Sequence, residues 1–385
     1  MTRGISIIRR LATKSRIVIS GAIKVNRLWF AESEIETLYS GNNLTIEEFV
    51  PKIENSIDDV GFLFGAGTSF ESGYPLVTGL TKEVIGALPV EQRSVLDDVL
   101  AIYGIHYNDA NGTPNIEEIS DIVIEHHTNS QLPVFFKLKE KIRELVRNAI
   151  LSVENPDMSN QVNFFERLKA RSFDRATNVW IFTTNYDLLL EDACAEVGLK
   201  IVNGFVGATT RTFSEREFSL VSGTTSGRAF SPESGLTVRL IKLHGSVSWY
   251  HRGGRIFESA PSAISTQEAR CMVLPRRTKV IETMSRPYDR LFHTSSTILG
   301  SKCKYLISSG FSFGDSHIND TLVTPNISSG RISFCNFCEF EPDSLNALRK
   351  RPNVLHVCKD KIVVGGREHV ENSNTWMFSK FVELF

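Results

Sequence analysis

The chain has 385 residues, of which 41% are hydrophobic and 23% are charged. This composition is that of an ordinary globular protein and excludes intrinsic disorder, collagen and coiled coil. The 43 basic and 44 acidic side chains leave a formal charge of -1. No basic field of the kind that marks many nucleic-acid-binding proteins therefore covers the whole chain, and direct nucleic-acid binding stays open.

The chain begins with a basic segment. Residues 1–31 carry seven Arg and Lys side chains, and no acidic residue occurs before Glu32. Three interpretations are open: an arm over residues 1–44 that contacts a partner or a sister subunit, an ordinary surface segment, or a targeting sequence. A signal peptide is not indicated, because no apolar core with a small-residue cleavage site follows the basic residues.

The next elements along the chain alternate between helical and strand patterns. Residues 45–58 and 79–88 are predicted helices, and the short apolar run over 60–64 between them is typical of a buried parallel strand. Apolar stripes at helical spacing over 116–123 and 135–150, broken at Pro133, predict a helical insertion over about residues 90–175.

The alternation resumes after this insertion. The Ser, Thr and Gly-rich stretch over 207–237 is predicted to be a mobile loop or an irregular insertion. Helices are predicted around 164–168 and over 188–197 and 288–299, and strands over 179–182, 237–243, 305–308, 331–334, 354–357 and 361–364. The pattern predicts an α/β fold, a doubly wound Rossmann-like parallel sheet with an inserted helical subdomain, whose ligand lies at the carboxyl ends of the strands.

The cysteines and the hydropathy bear on metal and membrane binding. The six cysteines are scattered and do not show the spacing of a disulfide scaffold, which favours a location in a reducing cytoplasm. Cys335 and Cys338 form a lone C-x-x-C, while Cys358 and His356 stand alone, so no metal site is predicted. No run of 18 or more apolar residues occurs, and no membrane association is expected.

A glycine-rich motif follows the first predicted strand. Its glycines would let the backbone approach a pyrophosphate, and its hydroxyls at Thr68 and Ser69 would add hydrogen bonds. A simple glycine turn would need only one or two of these residues. The motif reads Gly65-Ala66-Gly67-Thr68-Ser69-Phe70-Glu71-Ser72-Gly73-Tyr74-Pro75.

Three further motifs also follow predicted strands. In the run 183–187, Asn185 and Asp187 occupy a position typical of a ligand site, although Asp187 could equally cap the next helix. In the His244-Gly245 pair the glycine would leave room for a ligand and the histidine could act as a base, although a lone histidine is more often structural. By itself the run 308–317 is a turn with Asx chemistry.

Together, the four motifs resemble the sirtuin family over roughly residues 58–320. The G-A-G-x-S-x-x-S-G-x-P pattern, T-Q-N-x-D-x-L as 183–189, and H-G all occur in order. The chain departs from sirtuin deacylases after Pro75, after Gly245 where their zinc module is missing, and at residues 310–315. With these departures it looks like the sirtuin-like NADases of prokaryotic antiphage defence, the stand-alone type that acts with a HerA-type hexameric ATPase or helicase.

The resemblance implies a function and a set of site residues. It implies an NAD+ hydrolase that uses NAD as substrate and no metal, depletes cellular NAD in antiphage defence, forms a homo-oligomer and is gated by the ATPase partner. The alternatives are a protein deacylase or ADP-ribosyltransferase, and a non-catalytic sensor of NAD or ADP-ribose. The catalytic domain would span residues 45–330, and residues 331–385 would complete it.

The implied roles divide between catalysis and binding. Asn185 would orient the ribose or a water molecule, and His244 would act as general base or contact a ribose hydroxyl. Asp187 would lie near the nicotinamide amide. Gly65, Ala66, Gly67, Thr68 and Ser69 would hold the pyrophosphate, and the adenosine ribose would be held by Ser309, Gly310, Phe311, Ser312 and Asp315.

Overall fold

The computed structural model of the protein describes residues 57–172, 175–275 and 286–385. The predicted basic arm over 1–44 lies outside these residues, as does the predicted helix over 45–58 except for its last two positions. These two positions belong to a short 3-10 helix, Ile57–Asp59. No helix in the described part of the chain is long and apolar enough to cross a membrane.

The strands form a nine-stranded sheet, a five-stranded sheet and a two-stranded hairpin. In chain order the strands are β1 Val60–Phe64, β2 Ala176–Thr183, β3 Lys200–Val202, β4 Phe205–Val206, β5 Arg211–Phe213, β6 Gly223–Ser226, β7 Ala229–Pro232, β8 Gly235–Lys242, β9 Gly245–Arg252, β10 Arg255–Glu258, β11 Ala269–Met272, β12 Tyr305–Ser309, β13 Ser333–Phe337, β14 Val354–Val357, β15 Lys361–Val364 and β16 Arg367–Val370.

The large sheet has the order β16-β15-β14-β13-β12-β1-β2-β8-β3. Pairing is parallel from β14 to β3, and the hairpin partners β15 and β16 add an antiparallel edge. From β1 the chain builds one side of the sheet through β2, β3 and β8, and then the other side through β12, β13 and β14. The predicted doubly wound, parallel-rich α/β fold is therefore confirmed, and its strand order reverses between β1 and β12.

Helices cover the sheet and form the insertion between β1 and β2. They are α1 Gly67–Phe70, α2 Val77–Gly86, α3 Val90–Ile102, α4 Ile116–Ser130, α5 Pro133–Leu151, α6 Ser159–Ala170, α7 Leu189–Glu196, α8 Tyr288–Ile298, α9 Ser316–Ile318, α10 Thr324–Ser328 and α11 Phe378–Val382, with a π-helix Asn319–Val323 between α9 and α10.

Two hydrophobic clusters pack on opposite faces of the large sheet because side chains alternate along each strand. Phe62 and Phe64 of β1 pack against α6 and α11, whereas Leu63 packs on the other face with α8 and the second sheet. A third cluster joins helices α2 to α5 into a helical subdomain, which therefore starts at Val77, before the predicted bounds of about 90–175, and does not include α6. Within it, α4 begins with a capping box of Asn115 and Glu118, and Pro133 begins α5 as the sequence break predicts.

The prediction for residues 207–237 was wrong in part. This stretch contains β5, the 3-10 helix Glu215–Ser219 and the hairpin of β6 and β7, and it ends inside β8. The hairpin residues are all exposed, so no apolar pattern signals them. The five-stranded antiparallel sheet, ordered β11-β9-β10-β5-β4, was also not predicted. Its interior strand β9 is buried on both faces for six residues, so its burial does not alternate.

Candidate functional site

The four sequence motifs meet at one edge of the large sheet. The pairing register aligns Ser309 of β12, Phe64 of β1, Thr183 of β2 and Lys242 of β8 in one row across four adjacent strands. Each motif begins within two residues of its strand's member of this row. The motifs therefore lie side by side at the carboxyl ends of the strands, where the strand order reverses and α/β proteins bind ligands.

The glycines of the first motif allow close contact between the loop after β1 and the loop after β12. A Cβ atom built on Gly65 would lie 2.5 Å from the Gly310 carbonyl oxygen, and one on Gly67 would lie 2.6 Å from the Gly310 Cα. Gly310 has a φ of +64°, which L side chains rarely adopt. These glycines therefore allow the close approach of the loop after β12, and their contact with a pyrophosphate stays a prediction.

The polar groups of this motif are also largely engaged within the protein. The amides of Gly65, Gly67, Thr68 and Ser69 donate to backbone oxygens at 2.9 to 3.2 Å. The Thr68 hydroxyl donates to the Gly65 carbonyl at 2.8 Å. Among the amides of residues 65–69, only that of exposed Ala66 has no such bond. Of the predicted pyrophosphate cradle, the Ala66 amide is the donor left for a ligand.

Asn185 ties the loop after β2 to the glycine motif. Its side-chain nitrogen donates to the Gly65 carbonyl at 3.0 Å and lies 2.9 Å from the Ser69 hydroxyl oxygen and 3.2 Å from that of Thr68. Because a carbonyl oxygen only accepts, the contact with Gly65 fixes which side of the amide is nitrogen. The Asn185 side chain is 8% exposed, and its Oδ1 is left as an acceptor for a hydroxyl group or a water molecule.

Asp187 joins the start of α7 to the glycine motif. Its Oδ1 accepts from the Leu189 amide at 3.1 Å at the start of α7, and its Oδ2 accepts from the Ser69 hydroxyl at 2.8 Å. The side chain therefore stabilises a helix start and joins two site loops at once. Ser69, predicted to bind the pyrophosphate, instead lies buried between Asp187 and Asn185.

His244 is paired with Asp315 in the interior. The His244 Nε2 lies 2.9 Å from the Asp315 Oδ2, and both side chains are less than 7% exposed. Because a carboxylate accepts hydrogen bonds, this contact places a proton on Nε2 and the lone pair of the neutral ring on Nδ1. Asp315, predicted to hold the adenosine ribose, pairs with His244 through Oδ2 and caps α9 by accepting from the Ile318 amide through Oδ1.

Gly245 is required by the backbone conformation between β8 and β9. Its φ is +84°, and a Cβ atom there would lie 2.3 Å from the Cys271 carbonyl oxygen of β11. The His244 carbonyl oxygen accepts from the Val273 amide at 2.9 Å. The glycine therefore lets the chain pass from β8 into β9 directly beside β11, and the room it would leave for a ligand stays a prediction.

The remaining predicted adenosine-side residues differ in accessibility. Phe311 is buried and packs on Phe313 with ring centroids 4.7 Å apart. Ser312 is exposed. The Ser309 hydroxyl is buried, and no hydrogen-bond partner is found for it among the described residues. A buried hydroxyl without a protein partner, next to the contact between the loops after β1 and β12, is expected where a ligand or water molecule binds. Ser309 and Ser312 therefore fit a polar ligand, and the buried Phe311 side chain does not.

Lys242 and Glu191 are site residues that the sequence analysis missed. Lys242 is 1% exposed and its ammonium group donates to Glu191 Oε1 at 2.7 Å, to the Asp187 carbonyl and, at 3.4 Å, to the Ser246 hydroxyl. Burial raises the pKa of Glu191 to about 6, against the opposing effect of Lys242. The bond from Lys242 to the Asp187 carbonyl holds the loop that contains Asn185 against β8. A charged residue inside the apolar run Leu240-Ile241-Lys242-Leu243 was the available signal.

Comparison with known proteins supports a sirtuin-like family. Residues 179–331 match the family described as SIR2-like domain. The matched segment contains Asn185, Asp187, Lys242, His244 and Asp315, and it covers less than half of the chain. SIR2-like domains are NAD-dependent enzymes, and the match fits NAD-dependent activity. A search of curated proteins found no match to the chain. In the described segments, no three His, Cys, Asp or Glu side chains form a group that could hold a metal ion.

Proposed function

We propose that the protein is an NAD+ hydrolase that cleaves the bond between ribose C1′ and nicotinamide. The observation that carries this proposal is the buried His244–Asp315 pair, which lies with the fixed amide of Asn185 at adjoining strand ends of a SIR2-like domain. A binding protein that only senses NAD has no need of a histidine whose proton position is set by a buried carboxylate.

The chemistry requires little acid catalysis. Nicotinamide carries a positive charge in NAD and leaves as a neutral ring, while positive charge builds up on the ribose. The site must therefore hold the ribose, exclude other acceptors and deliver water. The Asn185 Oδ1 would accept from a ribose hydroxyl or the attacking water, and the His244 ring would take the water proton while Asp315 stabilises the protonated ring. Nicotinamide, ADP-ribose and one proton are the products.

Water is the proposed acceptor in preference to an acyl-lysine. The sirtuin deacylases that the motifs resemble carry a zinc module after the His-Gly pair. In this chain β9 follows directly, and its Trp249 is fully buried with its indole nitrogen donating to Glu258 at 3.1 Å. A buried strand therefore takes the position of the module, which favours simple hydrolysis.

The biological role is proposed from the consequences of the reaction. A cell that loses its NAD stops growing, so the activity must be gated. We propose that the protein acts in the cytoplasm in antiphage defence, as a homo-oligomer controlled by a HerA-type hexameric ATPase. The basic arm over residues 1–44 is the proposed contact with this partner or with a sister subunit.

The acceptor is tested with the full chain and NAD in ¹⁸O-labelled water, with and without an acetylated peptide and the ATPase partner. We expect nicotinamide and ADP-ribose in equal amounts, with the label at ribose C1′. Transfer of the acetyl group from the peptide, or of ADP-ribose to protein, would show a deacylase or transferase instead. Binding of NAD without turnover in every mixture would show a sensor.

A further inference from the structure

Two cysteines that the sequence separates by 20 positions lie in contact. Cys338 and Cys358 each follow the last residue of a strand, β13 and β14, and these last residues pair with one another in register. The Cys338 amide donates to the Val357 carbonyl at 3.1 Å. The two sulfur atoms lie 3.7 Å apart. Cys358, which the sequence left without a partner, therefore has one.

The backbone geometry suits a disulfide. Neighbouring strands lie about 4.8 Å apart, and disulfides span Cα separations of about 4.4 to 6.8 Å. The sulfur atoms would have to approach by about 1.7 Å to reach bonding distance, starting from the 3.7 Å observed. Rotation of two side chains supplies a movement of this size without breaking the strand pair.

The chemistry of this pair differs from that of the other cysteines. Burial raises the thiol pKa of Cys194, Cys271, Cys303 and Cys335. The hydrogen bond within the pair lowers the pKa of Cys358 and raises that of Cys338, so Cys358 is the thiol of the pair that ionises first. A thiolate with a second thiol at contact distance is the arrangement of cysteines that oxidise reversibly.

Solvent has access to the neighbourhood of this pair. Cys338 is half-buried and Cys358 beside it is buried, and the residues two and three positions after each cysteine help to line a polar opening of about 270 Å³. The two segments are joined by ion pairs of Glu339 with Lys359 at 2.9 Å and of Glu341 with Lys361 at 3.1 Å. The opening is lined by Phe340, Glu341, Asp343, Asn346, Asp360 and Lys361.

We propose that Cys338 and Cys358 form an oxidative modification site, at which a peroxide converts the two thiols reversibly into a disulfide that joins the ends of β13 and β14. The Cys358 thiolate attacks hydrogen peroxide, takes up one oxygen as a sulfenic acid and, with one proton, releases water. The Cys338 sulfur then attacks the Cys358 sulfur and a second water leaves. Two thiols and one peroxide thus give one disulfide and two waters. The proposal does not depend on NAD hydrolysis.

The test treats the full chain with hydrogen peroxide and then with dithiothreitol. We expect the intact mass to fall by two hydrogen atoms and to recover on reduction. Because Lys350 lies between the two cysteines, tryptic digestion without reduction should yield two peptides joined through them. The Cys338→Ser and Cys358→Ser variants should lose this linked species.

Cys335→Ala is the matched control, because Cys335 lies on β13 in the same tryptic peptide as Cys338 and is buried in the core. This variant should keep the linked species, and circular dichroism checks that each variant is folded. The proposal is overturned if folded wild-type protein forms no intramolecular disulfide, if Cys338→Ser still forms the linked peptides, or if only Cys335→Ala abolishes them.

Discussion

At the scale of single residues, Asp315 performs two tasks that one substitution separates. Its carboxylate pairs with His244 and also caps α9. Asn caps a helix about as well as Asp, but its amide does not carry the charge that stabilises a protonated histidine. We expect Asp315→Asn to lower NAD hydrolysis by about 100-fold or more while the melting temperature changes little. Steady-state kinetics and thermal unfolding measure the two effects. Unchanged turnover would show that Asp315 takes no part in the reaction.

Sequence motifs identified these residues better than they identified their contacts. Asn185, Asp187 and His244 follow directly from motifs at strand ends, since a strand end is readable from the sequence. The pairing of His244 with Asp315 was not predicted, because the two are 71 positions apart and only the register of the sheet brings them together. The glycines were identified correctly as special, but their close contact with the loop at Gly310 was not predicted, because that loop lies about 245 positions away in the sequence.

At the scale of elements, the contact between the loops after β1 and β12 determines the form of the site. Alanine at Gly310 would need a left-handed backbone and would place its Cβ 2.5 Å from the Thr68 amide nitrogen. We expect Gly310→Ala to lower the free energy of unfolding by more than about 2 kcal/mol and to abolish NAD binding, as urea unfolding and calorimetry would show.

Gly86→Ala is the matched control for this prediction. Gly86 lies at the end of α2, and a Cβ atom there meets nothing within 4 Å. Alanine should stabilise the protein there by about 0.5 to 1 kcal/mol, since it loses less conformational freedom than glycine on folding. Equal stability of the Gly310→Ala variant and the wild type would contradict the proposed loop contact.

A polar row across β12, β13 and β14 makes the sheet sensitive to acid. The Ser308 hydroxyl donates to Asn336, whose amide nitrogen lies 3.4 Å from His356 Nδ1. Burial lowers the pKa of His356 to about 4, below the unfolded value near 6.5. The folded state therefore favours neutral His356, and this stabilising contribution is complete above pH 6.5 and declines as the pH falls toward 4.

We expect acidification from pH 7 to pH 4.5 to cost about 1 to 3 kcal/mol through His356. Urea unfolding at both pH values measures the loss, and the His356→Asn variant, which cannot titrate there, should show less of it. An equal acid-induced loss in this variant would assign the sensitivity to other groups.

The elements differed in how far the sequence predicted them. The strands of the parallel sheet are short apolar runs bounded by polar residues, and β14 and β15 occur as predicted. The antiparallel sheet escaped prediction because β9 buries the polar residues Ser246 and Ser248, and the other strands of the sheet are only two to four residues long. Short strands gain their stability from neighbours that are distant in the sequence, so local pattern carries little of the information.

At the scale of the whole molecule, the central expectation is that catalysis is coupled to assembly. We expect a chain without residues 1–31 to remain folded and to bind NAD, because the described site lies entirely within residues 57–385. It should lose the activation that the ATPase partner provides. Size-exclusion chromatography with light scattering and NAD turnover measure both properties. Full NADase activity of an isolated, monomeric, arm-deleted chain would contradict gating through this segment.

The most direct test of the account compares NAD hydrolysis by the full chain with that of Asn185→Ala and His244→Ala, alone and with the ATPase partner. Nicotinamide and ADP-ribose are quantified, and NAD binding is measured by calorimetry. Hydrolysis by the wild type, reduced about 100-fold or more in both variants while NAD still binds, is the predicted result. Wild-type turnover in either variant, or NAD that is bound by the unaltered protein and remains intact in every mixture, would contradict the assignment of this site as an NAD+ hydrolase.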